Sequence, residues 1–129
     1  MKFYIASRVK NKELVRKIHE ILTEQGYEKI SDWVDEKDII PYEKHAEASK
    51  ARAIQCIENS TQCDVFLLIS DEGGAGMYTE LGAALVSSSL SKKPKIYVIG
   101  DYLNRSVFFF HPFVKVFKTI EEVLEDLAK

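Results

Sequence analysis

The sequence has few of the residues that staple a chain, gather metals or span membranes. It has two cysteines in 129 residues, Cys56 and Cys63, too few for a disulfide framework. Its three histidines do not fall at zinc-ligand spacing with either cysteine. No apolar run approaches a membrane span, and the opening MKFYIASRVK lacks the apolar stretch of a signal peptide. Neither sign of charge dominates: 18 Lys and Arg face 20 Asp and Glu, a formal net charge of -2. That balance gives no reason to expect a nucleic-acid or membrane-surface partner. A cytoplasmic, reduced protein with no metal and no cofactor is the resulting expectation.

What is present is a regular alternation of strand and helix signals. KFYIA (2–6) is a short apolar, aromatic and β-branched run, as a buried strand requires. Leu14, Val15, Ile18, Ile21 and Leu22 recur at helical spacing over 11–25, and Gly26 supplies a stop. A second, shorter strand is expected around 28–33, then an exposed loop, DEKDIIPYEK, broken by Pro41. A helix over 43–60 would carry Ala46, Ser49, Ala53 and Ile57 along one face, with His19 and His45 on helix surfaces. VFLLIS (65–70) and KIYVIG (95–100) are almost wholly apolar, the mark of strands covered on both faces. Between them a helix is expected over 76–88. The run VFFFHPF (107–113) should place at least two of its three consecutive phenylalanines in the core. A short strand over 114–117 and a helix over 120–127 follow. The order predicts an α/β single domain: a three-layer αβα sandwich around a five-stranded, mainly parallel sheet of the flavodoxin or Rossmann kind.

Such sheets bind ligands at the carboxyl ends of their strands. Three loops should meet there: Ser7-Arg8, Asp32-Trp33, and Asp71 to Gly76 with Gly73 and Gly74 inside it. Glycines admit an anion close to backbone amides, and the helix that follows offers unpaired N–H groups and a positive dipole end. Neither a Walker motif nor GxGxxG is present, and glycines at a strand–helix turn also serve simple turn geometry. Glu80 lies about one turn into that helix beside Leu81, Ala84 and Leu85. From spacing it is either a nucleophile kept ionised by the helix end or a first-turn Glu that satisfies the dipole.

KFYIAS, CDVFLLIS and above all GAGMYTELGAAL resemble the nucleoside 2-deoxyribosyltransferase superfamily, which includes deoxynucleoside 5'-monophosphate N-glycosidases. The likeness follows the order of elements over most of the chain and is dense at 2–8 and 63–85. It implies that Glu80 is the nucleophile that attacks the anomeric carbon and forms a glycosyl ester, later resolved by water or a second base. It further implies that Tyr4 positions the nucleophile and sugar, and that Gly74, Gly76 and Met77 flank the sugar or its 5' group. Ser7 and Arg8 then fall where phosphate-preferring members have a small polar and basic loop. Asp32-Trp33 resembles a pair that contacts base or sugar, although Trp33 equally suits packing over the sheet end. The resemblance also implies a homodimer or higher homo-oligomer, with 107–113 near the interface and His111 reaching a bound base or sugar. The sequence departs from the pattern at Cys56, where many members carry an Asp that assists proton transfer to the base. Either another group supplies that proton, with Asp32 and Asp71 as candidates, or the leaving group needs less help, or the chain is a nucleotide- or nucleoside-binding protein with little or no catalysis.

Overall fold

A computed structural model describes residues 1–129. Five strands, β1 (Lys2–Ala6), β2 (Glu28–Lys29), β3 (Val65–Ile69), β4 (Lys95–Ile99) and β5 (Val114–Phe117), form one sheet in the order β2-β1-β3-β4-β5. All neighbours are parallel, with Tyr4 opposite Phe66 and Phe66 opposite Ile96. Four helices cover it: α1 (Lys12–Glu24), α2 (Ala46–Gln62), α3 (Gly76–Ser91) and α4 (Ile120–Leu127). This is the three-layer α/β sandwich that the strand–helix alternation predicts.

Strand parity assigns the faces. Phe3, Ile5, Val65, Leu67, Tyr97 and Ile99 turn to one side and pack with Val15, Ile18 and Leu22 of α1 and Ile120 and Val123 of α4. Tyr4, Ala6, Phe66, Leu68, Ile96 and Val98 turn to the other and pack with Met77, Leu81, Ala84 and Leu85 of α3. Each of the larger aliphatic and phenylalanine side chains among them contributes about 1.5–3 kcal/mol. For function, the consequence is that Tyr4 emerges on the α3 side of the sheet.

The strand order reverses between β1 and β3, so the loops after these two strands leave in opposite directions and open a crevice. The helix ends nearby follow local chemistry. Gly26, at φ +92°, closes α1, and Thr119 with Glu122 forms a complete capping box on α4. No side chain caps α3, whose N-cap residue is Ala75.

Several expectations need correction. β2 spans two residues, because the Ser31 hydroxyl accepts the Trp33 N–H (3.2 Å) and turns the chain into a short 3-10 helix, Trp33–Asp35. Ala46, Ala53 and Ile57 are exposed; the inward row of α2 is Ser49, Arg52, Cys56, Asn59 and Ser60, since this helix packs chiefly along α3 and places only Ser60 in the interior. His19 is buried against Phe3, with 5.5 Å between rings, not on the surface of α1. In the 107–113 run only Phe109 is buried, while Phe108 and Phe110 stand in solvent. Residues 107–110 form a 3-10 turn, whose successive side chains splay about 120° apart, so one of three faces the sheet. No helix is long and apolar enough to cross a membrane.

Candidate active site

The crevice between β1 and β3 is organised by Asp71, a buried carboxylate. Its Oδ1 accepts from Arg8 Nη1 and from the Gly73 N–H, both at 3.0 Å, and its Oδ2 from Asn11 Nδ2 at 2.9 Å. Lys10 Nζ stands 3.6 Å away. The Asn11 amide leads the contacts that hold its carboxyl far below the usual range, with the Gly73 N–H, Arg8 and Lys10 adding to it. Asp71 therefore joins the loop after β1 to the loop after β3, and at neutral pH it has no proton to give.

Gly74 is required by this arrangement, and Gly73 fits it closely. A Cβ on Gly73 would lie 3.0 Å from Arg8 Nη1. Gly74 sits at φ +104°, where a Cβ would also meet the methyl of Met77 at 2.8 Å. The Arg8 side chain lies across both. Gly76 differs: a Cβ there would meet open space, directly over the uncapped start of α3. Arg8, Lys10 and these free amides together make a cationic mouth, partly offset by Asp71. Arg105 ties the loop after β4 to it by donating to the Glu72 carbonyl.

Behind this mouth, Glu80 faces Tyr4. Glu80 is half-buried and its Oε2 is sealed from solvent without a hydrogen-bond partner. Burial pushes its pKa up to about 7, and the Tyr4 hydroxyl opposes that rise. Tyr4 itself is raised far above the usual phenol range, by burial first and then by the neighbouring Glu80 and Cys56. Three ionisable side chains from three elements thus converge: Tyr4 of β1, Cys56 of α2 and Glu80 of α3.

The raised Glu80 pKa has a stability consequence. The unfolded carboxyl titrates near 4.5, the folded one near 7, so the fold favours the protonated form. The associated stabilisation is complete below pH 4.5 and disappears as pH rises through 7. Glu80→Gln should therefore melt above the wild type at pH 8, by roughly 3–6 °C, and converge with it near pH 4. That shift corresponds to about 1–2 kcal/mol, the full 1.36 kcal/mol per unit being discounted for partial exposure. Thermal melts of both proteins at the two pH values check it; equal differences at both would remove the buried carboxylate from the account.

The remaining sequence candidates separate. Ser7 stands beside Arg8, its hydroxyl donating to the Arg8 carbonyl at 3.0 Å. Met77 is buried in the core and supports Gly74, so its side chain does not line the crevice. Trp33 donates its indole N–H to the Ile5 carbonyl at 2.8 Å and packs against both cores, which is the packing role over the sheet end. Asp32 is exposed and paired with Lys29 at 2.6 Å. His111 accepts the Phe113 N–H at Nδ1 (3.0 Å) and lines a groove of about 560 Å³ on the outer side of α3 with Tyr78, Leu90 and Phe108. Within one chain it does not meet Glu80.

Comparison with solved structures adds a likeness of fold. The CMP N-glycosidase BcmB of Clostridium botulinum superposes with a TM-score of 0.59 over 100 % of both chains, at 17 % identity. The fold is shared. No family model matches the chain, and no curated protein matches it in sequence.

Lys10, Asn11 and Arg105 are site residues that the sequence reading did not single out. Lys10 and Asn11 were reachable, since they continue the same post-β1 loop as Ser7 and Arg8. Arg105 was not, because nothing in its own loop signals the Glu72 carbonyl.

Proposed function

We propose that the protein cleaves or transfers the N-glycosidic bond of a (deoxy)nucleoside 5'-monophosphate, or the parent nucleoside, through a glycosyl ester on Glu80. The observation that carries this reading is the desolvated, partnerless Glu80 oxygen facing Tyr4 beside an open, cationic, glycine-lined mouth. The fold shared with a CMP N-glycosidase supports it.

The chemistry follows from these groups. With the phosphate on Arg8, Lys10 and the first amides of α3, the sugar lies over Glu80. The ionised carboxylate attacks the anomeric carbon as the C–N bond breaks, through an oxocarbenium-like transition state. The negative carboxylate stabilises that cation and then forms the ester. The departing base leaves with the bonding electron pair and takes a proton from solvent water in the open mouth; water or a second base then displaces the glycosyl group and restores Glu80. Tyr4 orients the carboxylate, since hydrogen bonds at catalytic groups tighten when substrate arrives.

A second reading, a nucleotide-binding protein with little catalysis, is favoured by one observation. Neither carboxylate proposed to protonate the base is suited to it: Asp71 is held far down and Asp32 is paired and exposed. Incubation with deoxynucleosides, ribonucleosides and their 5'-monophosphates, with free base followed by chromatography, separates the two. Base release, or exchange with added base, supports the enzyme; nucleotide binding with neither supports the second reading.

The same proposal includes a homodimer. Leu90 is 84 % and Phe108 58 % exposed, and both wall the groove together with His111. The only charged residue of α3, Glu80, is turned away from that surface. Projections and hollow on one uncharged face suit a two-fold interface that is self-complementary. Phe108→Ser with Phe110→Ser should shift the sedimentation coefficient from dimer to monomer. An unchanged coefficient places the interface elsewhere.

A further inference from the structure

Arg8 is a long side chain in a loop, and free in solvent it would sample many rotamers. Here it has one place. Its stem lies over Gly74, with Cγ 3.2 Å from where a Cβ would stand. Its guanidinium lies over Gly73, with Nη1 at 3.0 Å and Cζ at 3.3 Å from the corresponding point. Asp71 fixes it there, since its Oδ1 accepts from Nη1 at 3.0 Å. Side-chain exposure is 38 % for Arg8 and 6 % for Asp71, so the carboxylate holds from beneath a guanidinium that keeps an open side.

The carboxylate is itself held by neutral donors. The Gly73 N–H reaches the same oxygen at 3.0 Å, and Asn11 Nδ2 reaches Oδ2 at 2.9 Å. These contacts set the carboxylate in place without drawing on the guanidinium, which gives it a single N–H and keeps its other donors. Lys10, 3.6 Å from Oδ2 and 51 % exposed, is a looser partner. A planar fork fixed in this way matches a terminal phosphate by geometry, whereas an ammonium on a flexible stem acts as a point charge.

We infer that Asp71 is a positioning residue that sets the preference for a 5'-phosphate, by holding the Arg8 guanidinium over the glycine turn before the ligand arrives. This role rests on the reading of the mouth as the phosphate end of a nucleotide site. Ordering Arg8 in advance removes that cost from binding. The contrary role has the opposite sign: an Asp71 that competed with the ligand for Arg8 would weaken phosphate binding.

The test compares wild type, Asp71→Ala, Asp71→Asn, Arg8→Ala and the double variant Arg8→Ala with Asp71→Ala. One readout is the ratio of kcat/KM for a nucleoside 5'-monophosphate to that for its parent nucleoside. The other is the affinity for inorganic phosphate, read from the amide NMR shifts of Gly73, Gly74 and Gly76. Asp71→Ala should lower both about three- to tenfold, the value of one hydrogen bond to a charged group or less. Asp71→Asn, which keeps a neutral acceptor for Nη1, should lower both about two- to fivefold. In the Arg8→Ala background, Asp71→Ala should change either by less than about twofold, because the fork it positions is gone. A rise in either quantity overturns the inference in favour of competition for Arg8. An equal fall for nucleoside and monophosphate, with phosphate affinity unmoved, overturns it in favour of a structural role in the loops. Should Asp71→Ala not fold, an unmoved ratio in Asp71→Asn has the same force. The two claims fail separately. Phosphate affinity that falls in Asp71→Ala, with no base release by the wild type, keeps the positioning role and removes the catalytic reading. Base release by a wild type with no affinity for phosphate removes the positioning role alone.

Discussion

Glu80→Ala is expected to lower base release by on the order of 10³-fold or more, because the bond-forming atom is removed. The expectation rests on placement. Glu80 is the only charged side chain of α3, and it lies on the α3 face that packs over Tyr4. A Glu that merely satisfied a helix end would be solvated and titrate in the ordinary range. This one has an oxygen shut from water and a pKa near 7. The same burial shapes the pH profile: kcat/KM should climb as pH rises through about 7, where the free carboxylate forms. Chromatography of free base from matched amounts of the two proteins checks the loss. Release undiminished in Glu80→Ala would transfer the nucleophile's role to another residue.

Arg8→Ala is expected to lower kcat/KM for a nucleoside 5'-monophosphate about 10- to 100-fold, the range of one charge-assisted hydrogen bond to phosphate. The parent nucleoside should change much less. Arg8 makes its contact with Asp71 through Nη1 and remains partly exposed, so the guanidinium has donors left for a ligand. Losing Arg8 leaves Asn11, Gly73 and Lys10 on Asp71, so the loop keeps most of its anchorage. The ratio of the two substrates' kcat/KM values is the decisive quantity. An equal fall for nucleoside and monophosphate would mean that Arg8 acts on loop geometry and not on phosphate.

Most of the fold was legible in the sequence because local pattern and tertiary packing agree there. VFLLI is uniformly apolar and KIYVI is so after Lys95, and they became the buried β3 and β4; the spacing of Val15, Ile18 and Leu22 became the inner face of α1. Reading failed where burial is decided by a distant neighbour. The alanines of α2 suit an inner or an outer face equally, and only the position of α3 selects Ser49, Arg52 and Cys56 as the inward row. Likewise, nothing local distinguishes Phe109 from Phe108 and Phe110; the turn's rotation relative to the sheet does.

The site divides in the same way. Parity along KFYIA places Tyr4 on one face, and the glycine loop leads directly into the helix carrying Glu80, so these groups could be brought together from sequence and resemblance. Asp71 was visible as a polar residue at the strand end, but its task depends on Asn11, 60 residues earlier. Trp33 offered two roles, and its bond to the Ile5 carbonyl shows the packing one. His111 required knowledge of which side of α3 its loop crosses.

The central claim, a glycosyl ester on Glu80, is tested most directly by the stereochemistry of the product. Methanol added as acceptor should trap the sugar as a methyl glycoside, and proton NMR of the first-formed product reads its anomeric configuration. Two displacements at the same carbon predict retention of the substrate's β configuration. A first-formed α product would mean direct attack by the acceptor with no ester, and would contradict the account.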